Sequence, residues 1–258
     1  MERIAQNGLV YYRFHQWQNI THGVFTRIGG VSAAPFAALN LGGNVGDDPA
    51  AVRENHVRMY AALGVEDERA CTVWQVHSAD VVVVRHPLDV RRWLARADAL
   101  VTDKPGLPLS MRFADCTPLL FHDPVRGVIG MAHAGWRGTV QGVGARTVKT
   151  MVDTYGCKPC DIQAAIGPSI GPERYQVGEE VVAAAYAYFG TLTGFIHRDP
   201  HDNTAYFDLW AANALDLRRM GVEQIEIAGM CTASNTAEFY SHRAEKGATG
   251  RFGAVMSL

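Results

Sequence analysis

Val52, His56, Met59, Tyr60 and Leu63 recur at helical spacing between Asp47 and Gly64, which predicts an amphipathic helix over this stretch. Asp47 and Asp48 are candidate N-caps, Pro49 suits the first helical position, and Gly64 is a C-terminal stop. The uninterrupted run Val81-Val82-Val83-Val84 then predicts a strand. Further short apolar runs follow at Leu107 to Phe113 and at Pro118 to Phe121, and Val128-Ile129-Gly130-Met131-Ala132 predicts a buried strand that ends at His133. Val140, Val143, Thr147, Val148, Met151, Val152 and Tyr155 mark the inner face of a helix stopped by Gly156. Asp161 to Ile166 reads as a strand running into the turn Gly167-Pro168-Ser169-Ile170-Gly171-Pro172, and Glu179 to Phe189 as an alanine-rich helix. Asp208 caps a last helix through Met220, Gly221 ends it, and Ile225 and Ile227 alternate in a strand that delivers Cys231.

Strands and helices are therefore interleaved, which predicts an α/β or α+β fold with mixed rather than purely parallel sheets. No composition shift, linker or internal repeat divides the 258 residues, so one domain over 1–258 is expected. An apolar fraction of 48% and a charged fraction of 19% are those of a globular chain with a full core. The formal net charge of -2, with basic pairs only at places such as Arg91-Arg92 and Arg218-Arg219, argues against a general nucleic-acid or membrane-surface binder. No apolar run reaches the roughly 18 to 20 residues of a membrane span, and Met1 to Asn7 carries no signal-peptide core, so a cytoplasmic protein is expected. Five cysteines, an odd number, fit a reducing compartment rather than a disulfide framework. Cys157-Lys158-Pro159-Cys160 is a single CxxC without a partner pair and reads as incidental.

The chemistry-bearing residues fall in three turns. They are His77 in Trp74-Gln75-Val76-His77-Ser78, Cys116 in Ala114-Asp115-Cys116-Thr117, and His133 in Ala132-His133-Ala134-Gly135-Trp136-Arg137-Gly138. Two imidazoles and a thiolate suffice to hold a catalytic zinc while leaving its fourth position open. Each residue alone has a structural explanation, since free cysteines and lone histidines often fill cores; their common placement in turns is what convergence requires. Gly135, Gly138, Arg137 and a helix starting near Thr139 offer amides and a planar fork to an anion, or else form a tight turn with Arg137 paired to a carboxylate. Thr26 to Ser32 and Leu39 to Asn44 are glycine-rich but lack the nucleotide-binding spacings, leaving Arg27 and Asn40 as candidate polar lining. Small polar and basic residues in Cys231 to Thr236, Tyr240 to Arg243 and Thr249 to Arg251 favour a ligand wall.

The segments Thr26 to Ser32, Leu39 to Asp48, Trp74 to Asp80, Ala97 to Gly138, Ala165 to Gly178 and Gly229 to Gly250 together resemble the signature blocks of the YfiH/YlmD family. This is the group called polyphenol oxidase or laccase-domain proteins, related to the FAMIN protein of animal immune cells. The resemblance spans nearly the whole chain and is most specific at Ala114-Asp115-Cys116-Thr117-Pro118 and Ala132 to Gly138. It implies a layered α/β/β/α sandwich, shared with a toxin deamidase that uses a Cys-His pair. It also implies one zinc ion held by His77, Cys116 and His133; because copper binds such ligands more tightly, it could displace zinc in vitro. The implied activity is phosphorolysis of adenosine, inosine, guanosine and methylthioadenosine, together with deamination of adenosine. Catalytic roles then fall to Cys116, His133 and Asp115, and substrate or phosphate binding to Arg27, Asn40, Arg137 and Arg243. Ser241-His242-Arg243-Ala244 departs from relatives that carry two successive basic residues there. The expected partners are purine nucleosides and phosphate, and the expected state is a monomer or weak homodimer.

Two other chemistries compete. A copper polyphenol oxidase of the multicopper type needs about ten histidine ligands including His-x-His pairs; the chain has ten histidines but no His-x-His. A metal-free hydrolase or deamidase would use Cys116 as nucleophile and His133 as its base. A binding module with a structural zinc needs four closed ligands, for which Cys231 is the available fourth.

Overall fold

A computed structural model describes residues 1–87 and 93–258, together with all side chains there except that of Glu68. The Arg91-Arg92 pair lies outside the described residues.

Two large sheets are stacked face to face. The first is six-stranded, in the order β13 (Gln224–Ile227), β9 (Gln163–Ile166), β7 (Thr117–Asp123), β8 (Val128–Ala134), β5 (Ala99–Thr102) and β4 (Val81–Val83). Its edge pairs β13–β9 and β4–β5 are parallel and its central pairs antiparallel, so it is mixed as the interleaving predicts. The second is five-stranded and antiparallel, in the order β1 (Glu2–Gln6), β2 (Leu9–Arg13), β3 (Thr21–Phe25), β14 (Phe252–Ser257) and β6 (Leu109–Phe113). A small third sheet joins β10 (Gln176–Val177), β12 (Ala205–Phe207) and β11 (Ile196–Arg198).

Side-chain alternation decides what each face covers. Leu120, Ile129 and Met131 of the six-stranded sheet meet Leu109, Met111, Phe113, Ala254 and Met256 of the five-stranded one in a shared core. Leu119, Phe121, Ala132 and Ile166 point the other way, onto Val148 and Met151 of α3 (Val143–Tyr155) and Leu217 of α5 (Leu209–Arg219). On the outer face of the five-stranded sheet, Leu9, Tyr11 and Val255 pack on Met59 and Tyr60 of α1 (Pro49–Ala62). Helix, sheet, sheet, helix is the layering that the family resemblance implies. The small sheet and α4 (Glu179–Phe189) surround a fourth core containing Ile170, Phe195 and Phe207.

The predicted caps of α1 and α5 hold. Asp48 accepts from the Ala50 amide and Asp208 from the Ala211 amide, while Asp47 instead accepts from Asn40. The helix predicted from Val140 begins later. Trp136–Thr139 forms its own short turn, α2, and Gly142 at φ 72 interrupts the path in a left-handed conformation before α3 starts. An anion site at a helix N-terminus near Thr139 is therefore not what the chain builds. No helix among the described residues is long and apolar enough to cross a membrane.

Candidate functional site

The chain changes sheets between β6 and β7 through only three residues, Ala114, Asp115 and Cys116. Asp115 makes the bend at φ 79, a region that aspartate tolerates better than most residues. Its Oδ1 accepts from Thr232 Oγ1 (2.7 Å), its Oδ2 from the Arg243 amide (2.6 Å), and its carbonyl from the Ile170 amide (3.0 Å). The crossing is thus clamped to three separate loops, and Cys116 is fixed at the head of β7.

The β7–β8 hairpin places Pro118 opposite His133 and Thr117 opposite Ala134, so Cys116 faces Gly135 across the ladder. A Cβ at Gly135 would stand 2.7 Å from Cys116 Sγ and 3.4 Å from His77 Cδ2, a contact only glycine avoids. His133 lies within β8 rather than in the following turn, on the same side as Ile129 and Met131, with its ring 5.6 Å from that of Phe113. His77 is exposed on the third segment at φ 61, its ring 5.0 Å from that of His133.

Asp98 unites these pieces, although nothing local in the sequence marks it. It is fully buried; Oδ1 accepts from His133 Nδ1 at 2.9 Å. Oδ2 accepts from the amides of Val76 (3.1 Å) and Ser78 (2.6 Å) and from Ser78 Oγ (3.0 Å), the two residues that flank His77. One carboxylate therefore orients the His133 ring and the His77 turn together. Burial alone would raise the Asp98 carboxyl, yet the His133 ring and these donors hold it below the usual carboxylate range. Burial would likewise raise the Cys116 thiol, but His133 and His77 draw it down to about 6. Burial opposes protonation of His133, which the Cys116 thiolate and Asp98 override, lifting it to about 9.

The donor atoms of His77, Cys116 and His133 lie within 4.8 Å of one another, one group of three such ligands among the described residues. Donors about 2.0 to 2.3 Å from a tetrahedral zinc are about 3.3 to 3.8 Å apart, so the trio fits a metal after small side-chain rotations. With His133 Nδ1 donating to Asp98, Nε2 is left to bind, the carboxylate–histidine pattern found behind metal-ligating imidazoles. Cys231 is not a fourth ligand: its Sγ accepts from the Gly171 amide at 3.1 Å. Cys157 is buried in the helix-side core and Cys160 is exposed; both are free.

This trio opens into a cavity of about 950 Å³, at the upper end of the roughly 300 to 1,000 Å³ usual for small-molecule sites. Its described lining includes five arginines, Arg53, Arg112, Arg137, Arg243 and Arg251, against one carboxylate, Asp115, which is already engaged. Arg137 lies over the Trp136 ring (4.4 Å) and Arg243 over Tyr175 (5.2 Å), making one wall cationic and aromatic. Of the candidates from sequence, Arg137, Arg243 and Asp115 line this cavity; Arg27 and Asn40 do not. Arg27 is ion-paired with Glu245 (2.9 Å), donates to the carbonyls of Ala37 and Thr236, and stacks on Tyr240. Asn40 is fully buried, its Oδ1 accepting from the amides of Gly42 (2.9 Å) and Arg251 (2.8 Å). Sequence reasoning passed over Arg112, whereas Arg251 lies in the stretch read as a ligand wall and does line the cavity. The available signal for Arg112 was a lone charge within the otherwise uncharged strand Leu109-Ser110-Met111-Arg112-Phe113.

Residues 21–258 match the model of the family described as multi-copper polyphenol oxidoreductase laccase. A Deinococcus radiodurans protein named purine nucleoside phosphorylase is 44% identical over 239 residues, 93% of this chain and 89% of its own length. The purine nucleoside phosphorylase YlmD of Geobacillus stearothermophilus is 37% identical, over 89% of this chain and 86% of its own. Among solved structures, YlmD from Geobacillus stearothermophilus superposes with a TM-score of 0.92 at 34% identity, covering 98% of this chain and 97% of that one. The hypothetical protein YfiH of Bacillus licheniformis gives 0.90 at 31% identity over 98% and 97%. The chain belongs to this laccase-domain family, the YfiH/YlmD group.

Proposed function

We propose that this laccase-domain protein is a purine nucleoside phosphorylase that takes zinc at His77, Cys116 and His133. Its proposed substrates are adenosine, inosine, guanosine and methylthioadenosine, and the same centre also deaminates adenosine. The observation that carries the reading is the union of the His-Cys-His group with a cavity whose lining holds five arginines and one carboxylate. Such a wall suits an anionic co-substrate beside a flat neutral one.

Bound zinc would supply Lewis acidity at its open position. The chain's own residues do the rest. Trp136 and Tyr175, each carrying an arginine on its face, offer stacking surfaces for a purine. Asp98 holds His133 and the His77 turn in one orientation, so the centre is preorganised before substrate arrives. In phosphorolysis an oxygen of hydrogen phosphate bonds to the anomeric carbon as the bond to purine N9 breaks. The bonding pair leaves with the base and the phosphate's proton passes to it, giving ribose 1-phosphate and free purine. The arginines neutralise the phosphate as it approaches and fix its line of attack. Deamination adds water at C6 of adenosine and releases ammonia, leaving inosine.

The family's description speaks of several coppers, whereas the described residues bring one group of three ligands together. We therefore assign a single metal per chain. The test incubates zinc-loaded protein with inosine or adenosine and phosphate and resolves the products. Ribose 1-phosphate with free purine, and inosine with ammonia from adenosine, are expected, with both lost in Cys116→Ala. Turnover of purine nucleosides that survives Cys116→Ala overturns the site; no turnover by the wild type overturns the reading. Close to one zinc per chain is expected in protein prepared without added metal, and full activity in zinc-free protein would favour the thiol enzyme instead.

A further inference from the structure

Arg112 and Gly253 are cross-strand partners in the β6–β14 ladder, and Arg251 lies two residues before Gly253. Their neighbours Met111, Phe113, Phe252 and Ala254 all face the core between the sheets, so Arg112 and Arg251 share the opposite face, towards α1. Gly253 has no side chain to fill the space there; a Cβ would meet Leu41 at 2.6 Å and Met59 at 2.9 Å.

Among the described residues, the partners of these two guanidinium groups are neutral oxygens. Arg112 donates to Thr72 Oγ1 (3.1 Å) and to the Val73 carbonyl (2.9 Å). Arg251 donates to the carbonyls of Thr249 (3.1 Å) and Gly250 (2.8 Å). Elsewhere the chain pairs its partly buried Arg27 with Glu245. A guanidinium withdrawn from water without a carboxylate is costly unless an anion completes it. Burial indeed works against the charge on both, and in Arg251 Cys116 and Asp115 offset it in part. Each guanidinium has five N–H donors, so donors remain to converge on a ligand. Unlike Arg137 and Arg243, neither lies over an aromatic ring among the described residues. Both guanidinium-bearing residues line the same cavity as His77, Cys116 and His133. Asn40 holds the Arg251 amide and the Gly42 amide with one oxygen, fixing the backbone from which Arg251 projects.

We propose that Arg112 and Arg251 form the subsite for the inorganic phosphate co-substrate, with Asn40 as the positioning residue of Arg251. This assignment rests on the phosphorolysis reading and deepens it, since it names the side chains that would hold the co-substrate. The test uses the zinc-loaded protein and two measurements: initial rates of inosine phosphorolysis against phosphate concentration, and calorimetric binding of inorganic phosphate without nucleoside. Arg112→Gln and Arg251→Gln should each raise the KM for phosphate about tenfold or more, and weaken phosphate binding equally, as loss of a charged hydrogen bond implies. The KM for inosine should stay within about twofold. Arg251→Lys, which keeps the charge but not the fork, should recover part of the loss. Asn40→Ala should raise the phosphate KM while zinc content is retained.

Glutamine variants with unchanged phosphate KM and binding overturn the subsite, while the phosphorolysis reading survives if the wild type turns over. Should the glutamine variants not fold, Arg112→Lys and Arg251→Lys decide, and wild-type phosphate parameters in both overturn it. A wild type that binds phosphate through these arginines without turnover defeats the functional reading alone. Loss of adenosine 5′-phosphate binding with inorganic phosphate binding intact would assign the pair to an ester instead and overturn the co-substrate role.

Discussion

Asp98→Asn isolates the carboxylate that organises the centre without replacing any of the three proposed ligands. Asp98 accepts four hydrogen bonds, from His133 Nδ1 and from the Val76 amide, the Ser78 amide and Ser78 Oγ. A carboxamide keeps one acceptor oxygen and turns the other position into a donor. If the oxygen stays with Val76 and Ser78, the new NH2 faces His133 Nδ1. That ring must then move its proton to Nε2, the nitrogen needed for the metal. If the amide flips, its NH2 faces two backbone N–H donors and the His77 turn loses its anchor. Either outcome removes about one charge-assisted bond, about 1.5 to 3 kcal/mol, matching the roughly 10- to 100-fold that loss of such outer partners costs in metal affinity. Zinc affinity is read by competition with a chromophoric chelator at neutral pH, beside Asp153→Asn, an exposed carboxylate paired with Lys149. Affinity within about twofold of wild type in Asp98→Asn would refute this account of the centre.

The charge pair in the metal-free site gives a pH prediction. With its thiol drawn to about 6, Cys116 should be alkylated by iodoacetamide with a midpoint near 6 and reach a plateau above neutrality, peptide mapping separating it from the exposed Cys160. A depressed thiol stabilises the fold at high pH and loses that contribution as pH falls through 6; His133, raised to about 9, loses its own as pH rises through 9. The pair therefore stabilises between these limits, and an alkylation midpoint at the ordinary thiol value would sink the thiolate–imidazolium assignment. A packing prediction follows from the layers. Leu119 and Leu120 are both fully buried but face opposite sides of β7. Both Leu119→Ala and Leu120→Ala should cost about 2 to 5 kcal/mol in denaturant unfolding; a cost below about 1 kcal/mol for either would mean that one face of the sheet is not covered.

The parts of the fold legible in the sequence were those with periodicity and punctuation together. α1 and α5 had an aspartate before the first turn and a glycine after the last, and both formed with those caps. β14 was not legible. Phe252–Ser257 is buried along its whole length between two layers, so no polar alternation marked it, and its pairing partners β3 and β6 are far away in sequence. The helix after His133 was misplaced because the valines continue through Gly142 while the backbone does not. The trio His77, Cys116 and His133 could be named because each stands out in a small-residue turn or strand end. Asp98 and Arg112 could not, because each gains its meaning from a partner brought up by the tertiary fold, and Arg251 was legible only as part of a polar, basic ligand wall.

The site's two halves come from different layers, and the β6–β7 crossing joins them. β8 of the six-stranded sheet contributes His133, and β6 of the five-stranded sheet contributes Arg112. Only the three-residue step Ala114, Asp115 and Cys116 connects these layers here, and Asp115 fastens it to Thr232, Arg243 and Ile170. Two packed sheets resist relative sliding because Leu109, Met111, Ile129 and Met131 are buried together in a shared core, and close-packed interiors transmit strain rather than yield to it. The proposed metal ligand and the proposed anion site, anchored in separate packed layers, would therefore keep a fixed separation. Such a fixed separation is what a reaction needs when one reactant sits on the metal side and the other approaches from the arginine side.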